Sequence, residues 1–146
     1  MKVNVNEITK DGLFLEEIST GKDLDLGRKD LEFNEPVKIK AAINREYDNV
    51  IIRLEVEARG EFTCSRCLKQ SVYSVKKEID IIRPLSEGTV VDITEIARDE
   101  IILDYPLKLL CQDDCKGICP GCGNNLNTRL CVCDEKQDFT RGIEID

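Results

Sequence analysis

The fold is decided by the stretch Val50 to Arg59, VIIRLEVEAR, in which every second residue from Val50 onwards is apolar. Alternation with a period of two is typical of a strand with one face in a core and the other in solvent. The stretch Val37 to Ile43 shows the same alternation, and Tyr47-Asp48-Asn49 between them favours a turn. The two stretches therefore predict a long antiparallel hairpin.

A third strand is predicted over residues 70–82, ending before Pro84, because its apolar residues fall on one face: Tyr73, Val75, Ile79 and Ile81. Residues 1–33 contain only short apolar segments between turn residues, which are consistent with short strands but fix no structure. The first two-thirds of the chain are thus predicted to form a β-meander.

One main helix is predicted to begin after Asp92. Asp92 is suited to be its N-cap, Glu95 occupies the capping-box position, and Val91 with Ile96 forms a hydrophobic staple. An apolar stripe at helical spacing predicts a core-facing side, with Pro106 ending the helix; the stripe comprises Ile93, Ile96, Ala97, Ile101 and Tyr105.

These elements predict an α+β fold: an antiparallel β-meander with one main helix and a C-terminal cysteine-rich metal-binding segment. We expect a single domain over residues 1–146. It divides into a mainly β part (1–85), a helix and linker (86–110), a cysteine-rich metal-binding segment (111–133) and a tail (134–146).

Composition limits the class of protein. The chain of 146 residues is 41% hydrophobic and 34% charged, which is typical of a globular protein. It has no apolar run of membrane-spanning length, and Met1 to Asp11 lacks the pattern of a signal peptide, so we expect a cytoplasmic protein without a membrane partner. The net charge of −8 argues against broad RNA binding, which requires an excess of lysine and arginine.

The chemistry lies in eight cysteines, which fall into four short pairs: Cys64-x2-Cys67, Cys111-x3-Cys115, Cys119-x2-Cys122 and Cys131-x-Cys133. Such spacings allow one turn to direct two sulfurs at a single ion about 2.3 Å away. In the run from Cys119 to Gly123, CPGCG, the proline fixes one torsion and the glycines allow left-handed geometry. All eight cysteines are therefore predicted metal ligands.

Two divisions into four-cysteine sites remain open. The first groups Cys119, Cys122, Cys131 and Cys133, which leaves the set Cys64, Cys67, Cys111 and Cys115. The second joins the two x2 pairs in one site, as a zinc ribbon does, and leaves the other four for the second site. Two zinc ions are expected in either case, although four thiolates also suit iron.

Other roles for the cysteines are less favoured. Disulfides require an oxidising compartment, which nothing in the sequence indicates, although hyperthermophile proteins are an exception. A thioredoxin-like role for Cys64 and Cys67 would require a strand-to-helix junction, and this pair lies between predicted strands. Because the chain has no histidine and enough cysteines to close both sites, we predict structural metal, no catalytic residues and no enzymatic activity.

A resemblance to a known family appears once these residues are considered together. The segments Cys64–Leu68, Glu100–Lys108, Cys111–Asn127 and Cys131–Cys133 are similar to the YceD family, described as the large ribosomal RNA subunit accumulation protein, over roughly residues 35–133. The resemblance implies a non-enzymatic role in accumulation of the 23S ribosomal RNA, with a ribosomal precursor or a biogenesis protein as partner and no small-molecule substrate.

Charge patterning adds a candidate RNA contact. Residues 59–85 hold six basic and three acidic side chains, a local charge of +3, although such a run is also consistent with an ordinary solvated strand face. We predict Arg66, Lys69 and Lys76 as nucleic-acid-binding residues. The alternatives to a biogenesis factor are a rubredoxin-like iron electron carrier and a zinc-ribbon protein-interaction module.

Overall fold

The computed structural model describes residues 1–86 and 89–133; the predicted tail, 134–146, lies outside the described residues. The chain divides into two compact units. The sheet unit comprises Met1–Phe62 and Ser71–Leu107, and the cysteine unit comprises Thr63–Gln70 and Lys108–Asp146, of which the structure describes residues up to Cys133. The single domain expected from the sequence stays a prediction.

Seven strands and one α-helix follow one another along the described chain, with a short 3-10 turn at Val5–Glu7. In chain order they are β1 (Lys2–Asn4), β2 (Leu13–Ser19), β3 (Leu31–Glu32), β4 (Val37–Glu46), β5 (Asn49–Thr63), β6 (Gln70–Pro84), β7 (Val90–Asp92) and α1 (Ile93–Leu103). This is the predicted α+β class of fold, mainly antiparallel sheet with one helix.

The main sheet is built on the predicted hairpin. Strands β4 and β5 pair antiparallel from Lys38 opposite Glu57 to Glu46 opposite Asn49, so the turn falls at Tyr47 and Asp48 as expected. Strand β6 pairs with β5, and β2 pairs with β4. The short β3 pairs only with the far end of β5, and β1 pairs with β7 in a separate two-stranded sheet. Residues 1–33 therefore do contain short strands.

The core of the sheet unit lies on the face that the alternation predicts. The inward side chains of β4 and β5 are at most 2% exposed; they are Val37, Ile39, Ala41, Ile43, Val50, Ile52, Leu54, Val56 and Ala58. Helix α1 contacts β4 and β1 and buries Ile93, Ala97 and Ile101. Each large aliphatic side chain buried in this way stabilises the fold by about 1.5–3 kcal/mol.

Helix α1 begins where its capping signals predict. The Asp92 carboxylate accepts a hydrogen bond of 3.1 Å from the amide of Glu95, which satisfies one of the free donors of the first turn. The helix ends at Leu103, so Tyr105 of the predicted stripe lies beyond it; its hydroxyl donates to the Leu26 carbonyl and its ring stacks on Phe33. Among the described residues no helix has the length and apolarity needed to cross a bilayer.

Replacing the capping group tests this boundary. Asp92→Ala removes the acceptor for the Glu95 amide and is expected to lower the free energy of unfolding by about 1 kcal/mol. Asp92→Asn is the matched control, because it retains a side-chain oxygen at the cap. Chemical denaturation followed by circular dichroism would measure both, and equal loss in the two variants would contradict a capping role.

Candidate metal centre

The first candidate site, called cluster 1, joins Cys64, Cys67, Cys111 and Cys115. Their sulfur atoms all lie within 4.8 Å of one another, with Cys64 Sγ 3.7 Å from Cys115 Sγ and Cys67 Sγ 3.5 Å from Cys111 Sγ. Three of the four residues are buried, and Leu110 and Ile118 pack against them. Cluster 1 thus ties the turn between β5 and β6 to the segment that follows the helix.

The second candidate site, cluster 2, joins Cys119, Cys122, Cys131 and Cys133 within the same 4.8 Å limit. The sulfur of Cys119 lies 3.4 Å from that of Cys131 and 3.7 Å from that of Cys133. Only Cys119 is buried, and Cys131 is exposed. The structure therefore brings the cysteines together in the first of the two predicted divisions and not in the zinc-ribbon division.

Both clusters fit a tetrahedral ion. A metal with sulfur ligands at about 2.3 Å places the sulfurs about 3.8 Å apart when the geometry is tetrahedral. The measured separations that connect neighbouring sulfurs run from 3.4 to 4.0 Å. Four thiol ligands of this geometry suit zinc and iron equally, so the donor set defines the site and leaves the metal open.

The two Cys-x2-Cys turns, here called knuckle 1 (Cys64–Lys69) and knuckle 2 (Cys119–Asn124), share one backbone arrangement. The amide of Cys64 donates to the Lys69 carbonyl at 2.8 Å, and that of Leu68 donates to the Cys64 carbonyl at 3.0 Å. The corresponding hydrogen bonds of knuckle 2 measure 2.9 Å each. In both knuckles the residue after the second cysteine has a left-handed backbone, with φ of 59° at Leu68 and 74° at Gly123.

These knuckles direct amide groups at the first cysteine of each pair. Burial raises the pKa of Cys64, but hydrogen bonds from the backbone amides of Cys67 and Arg66 outweigh it and lower that pKa to about 6. The amides at the equivalent positions of knuckle 2 lower the pKa of Cys119 to about 6 as well. Thiolate is the form of cysteine that binds metal, so each knuckle prepares one ligand before the ion arrives.

The second pair of each cluster contains a thiol whose pKa is strongly raised. Burial and then the hydrogen bond with the Cys67 thiol raise the pKa of Cys111 to about 12, and contacts with the sulfurs of Cys131 and Cys119 raise the pKa of Cys133 to about 12. Like charges so close together are unfavourable unless a cation lies between them. Binding of a divalent ion would therefore displace protons from these thiols.

Asn127 supports cluster 1 from the loop that follows knuckle 2. Its side-chain amide donates to the Cys115 sulfur at 3.3 Å, and its oxygen accepts from the Lys116 amide at 2.9 Å. The donation to sulfur lowers the pKa of Cys115. Sequence reasoning missed this role, because no local spacing relates Asn127 to Cys115; its place among three asparagines within residues 124–127 was the only signal.

The predicted RNA-binding residues fall in two different units. Arg66 and Lys69 are exposed in knuckle 1 of the cysteine unit, and Arg66 donates to the Cys115 carbonyl at 3.0 Å. Lys76 is exposed on β6 of the sheet unit, in a groove that Glu57 and Glu78 also line. The role of all three in RNA binding stays a prediction.

The fold and the clusters together define a class: a small α+β protein with two four-cysteine groups arranged to hold metal ions. Within that class, residues 74–141 match the family model described as "Large ribosomal RNA subunit accumulation protein YceD". This part of the chain is therefore similar to the YceD family, as the cysteine-rich segment indicated.

Curated relatives support the same assignment. Proteins described as chloroplastic YCED homolog 1 are 38% identical over 47 residues in Arabidopsis thaliana and 46% identical over 44 residues in Zea mays, or 32% and 30% of this chain. These alignments cover 15% of each plant protein. An uncharacterized protein of Mycobacterium leprae is 23% identical over 113 residues, 66% of this chain and 52% of that protein. No solved structure matches.

Metal content tests the two clusters separately. Protein purified under reducing conditions is expected to contain two metal ions per chain, since eight thiols at four per ion fill both clusters. Cys122→Ser should leave one ion and a folded sheet unit, because the core of that unit contains no cysteine of either cluster. Ser65→Ala, at a position in knuckle 1 that is not a candidate ligand, is the control with two ions. Elemental analysis with circular dichroism measures both, and loss of both ions from Cys122→Ser would show that the clusters are not independent.

Proposed function

We propose that this protein is a non-catalytic ribosome-biogenesis factor that supports accumulation of the 23S ribosomal RNA, with both clusters holding zinc as structural sites. The main support is the position of the cysteines. The segment that matches the YceD model, residues 74–141, contains six of the eight cysteines that form the two clusters. The family description and the cluster geometry thus concern the same part of the chain.

The geometry of the clusters supports a structural rather than a catalytic metal. Each cluster offers four sulfur ligands, which is the full set for tetrahedral zinc, whereas catalytic zinc has three protein ligands and an open position. Zinc has no redox chemistry and would act here as a crosslink between chain segments. The residues that would hold it are the four thiols of cluster 1 and the four of cluster 2.

The proposal includes a cellular location and a binding partner. We place the protein in the cytoplasm, in contact with a precursor of the large ribosomal subunit or with a protein that assembles it. The candidate RNA contacts are Arg66, Lys69 and Lys76. A small-molecule substrate and a membrane are not part of the proposal, and the plant relatives named as chloroplastic suggest that related proteins also work in an organelle.

One observation favours a second function. Cluster 2 is shallow, with Cys131 exposed, and exposure of a metal–thiolate centre suits exchange of electrons with a partner. If cluster 2 held iron, the protein would be a rubredoxin-like electron carrier. Visible absorbance of the purified, oxidised protein separates the two functions, since iron–tetrathiolate is coloured and zinc is silent.

Depletion in the cell tests the leading proposal. Removal of the gene is expected to lower the amount of large-subunit ribosomal RNA relative to small-subunit ribosomal RNA, measured by electrophoresis of total RNA. Wild-type protein should restore the ratio. Protein with Cys64→Ser and Cys67→Ser should not, because it lacks cluster 1, while Ser65→Ala should restore it. An unchanged ratio after depletion would refute the proposed function.

A further inference from the structure

The two knuckles form an internal comparison, because they have the same backbone hydrogen bonds and different side chains. Knuckle 2 places proline and glycine between its cysteines and Gly123 after them. Knuckle 1 places Ser65 and Arg66 between its cysteines and Leu68 after them. Since knuckle 2 makes the metal-binding turn with minimal side chains, those of knuckle 1 are not required by the turn itself.

Leu68 is unfavourable for the turn. Its φ of 59° is left-handed, a conformation that glycine adopts readily and leucine rarely does. Burial of the side chain does not offset this strain, because Leu68 is 65% exposed. A strained residue that projects into solvent is the kind of outlier that points to a contact with something outside the chain.

Cations lie on both sides of Leu68 in the sequence of knuckle 1 and on the two segments hydrogen-bonded to it. Arg66 and Lys69 flank it in the knuckle, and both are exposed. Lys116 follows Cys115, whose carbonyl accepts a hydrogen bond from Arg66, and Lys108 precedes Leu109, whose carbonyl accepts from the Ser65 amide at 2.9 Å. Three chain segments joined by these hydrogen bonds thus carry four exposed cations in or next to knuckle 1. The solvent-exposed face of this arrangement is called the outer side of knuckle 1.

Salt bridges occur in the sheet unit, although most of its cations make none. Five of its 14 lysines and arginines lie within salt-bridge distance of a carboxylate: Arg28, Arg53, Arg59, Lys77 and Arg98. Of residues 63–70 and 108–133, no lysine or arginine lies within this distance of a carboxylate that the structure describes. The acids in these segments are Asp113 and Asp114, against the basic set Arg66, Lys69, Lys108, Lys116 and Arg129, a net charge of +3 before the thiols ionise.

The negative charge of the thiolates does not prevent these cations from forming a basic surface. A metal-loaded cluster 1 carries a formal charge of −2, but Cys64, Cys67 and Cys115 are buried, and backbone amides and Asn127 donate hydrogen bonds to the sulfurs. The four cations are exposed, so a ligand in solvent can reach them. Lys76, by contrast, shares its groove with Glu55, Glu57 and Glu78.

We propose that the outer side of knuckle 1 binds single-stranded RNA, with Arg66, Lys69, Lys108 and Lys116 contacting phosphates and Leu68 packing against an unstacked base or ribose. Exposed cations beside an exposed apolar side chain suit a strand that presents both charge and exposed bases. The inference rests on the proposed function, which it deepens by naming the RNA surface.

Binding by the purified, metal-loaded chain tests the surface. The probe is a fluorescent single-stranded RNA of mixed sequence, about 16 nucleotides long, followed by anisotropy. Four phosphate contacts should give a slope of about −3 in log K against log salt. Arg66→Glu with Lys69→Glu should weaken binding roughly tenfold or more at low salt. Lys22→Glu with Lys29→Glu, a matched double charge reversal at exposed positions of the sheet unit, should leave binding unchanged, and all variants should retain two metal ions.

Leu68→Gly separates binding from structure. Glycine relieves the left-handed strain, so this variant should unfold at a higher denaturant concentration and keep its metal while binding RNA more weakly than the wild type. A more stable variant with unchanged RNA affinity would remove Leu68 from the proposal.

Two further results would overturn the RNA surface. One is unchanged binding by the Arg66→Glu, Lys69→Glu variant. The other combines two observations: the wild-type protein does not bind RNA at low salt, and the Arg66→Glu, Lys69→Glu variant no longer pulls down ribosomal precursors. Together they would assign the surface to a protein partner. Neither result bears on whether depletion lowers large-subunit RNA, so the proposed function stands or falls by its own experiment.

Discussion

Four sulfur atoms converge at cluster 1 from parts of the chain that no continuous sheet or helix joins. Cys64 and Cys115 are 51 positions apart, yet their sulfurs lie 3.7 Å from each other. Among its described residues the cysteine unit contains few buried aliphatic side chains, so their burial contributes little to its stability. An ion bound by the converging thiols would supply the folding free energy that a larger core supplies elsewhere.

The sheet unit is stabilised by the burial of aliphatic side chains. Most of its nearly inaccessible aliphatic residues come from two long strands and one helix, with others such as Leu26 and Leu31 from the segments between them, and no thiol takes part in that core. Charge differs between the units in part. Some cations of the sheet unit are neutralised by nearby carboxylates, while those of knuckle 1 are exposed and lie near no carboxylate among the described residues.

Much of the fold could be predicted from the sequence, for a physical reason. In β4 and β5 the period of two is long and regular, and at α1 the capping residues agree with the apolar stripe, so several signals favour the same structure. Strands β1 and β3 have three and two residues, too few for any period to appear. Their pairing is set by the neighbouring chain and not by their own pattern.

The candidate metal centre could likewise be predicted only in part from the sequence. Spacing identifies which cysteines form a pair, because that depends on one turn, but it does not say which pairs share an ion, because that depends on the path of the chain between them. Leu68 could not be predicted to be left-handed, since the general preference for glycine argues against it. Asn127 reaches Cys115 only through the fold, over 12 positions.

The hydrogen bond from Asn127 to the Cys115 sulfur has a thermodynamic consequence. Asn127 lies between Cys122 and Cys131 in sequence, so the loop that completes cluster 2 also holds a donor against a ligand of cluster 1. Ordering of that loop favours the charged form of Cys115, and by linkage the charged form of Cys115 favours the ordered loop. An ion at cluster 2 would therefore help to hold Asn127 against Cys115, whereas the four thiols of cluster 1 come from other segments and can bind an ion when cluster 2 is broken.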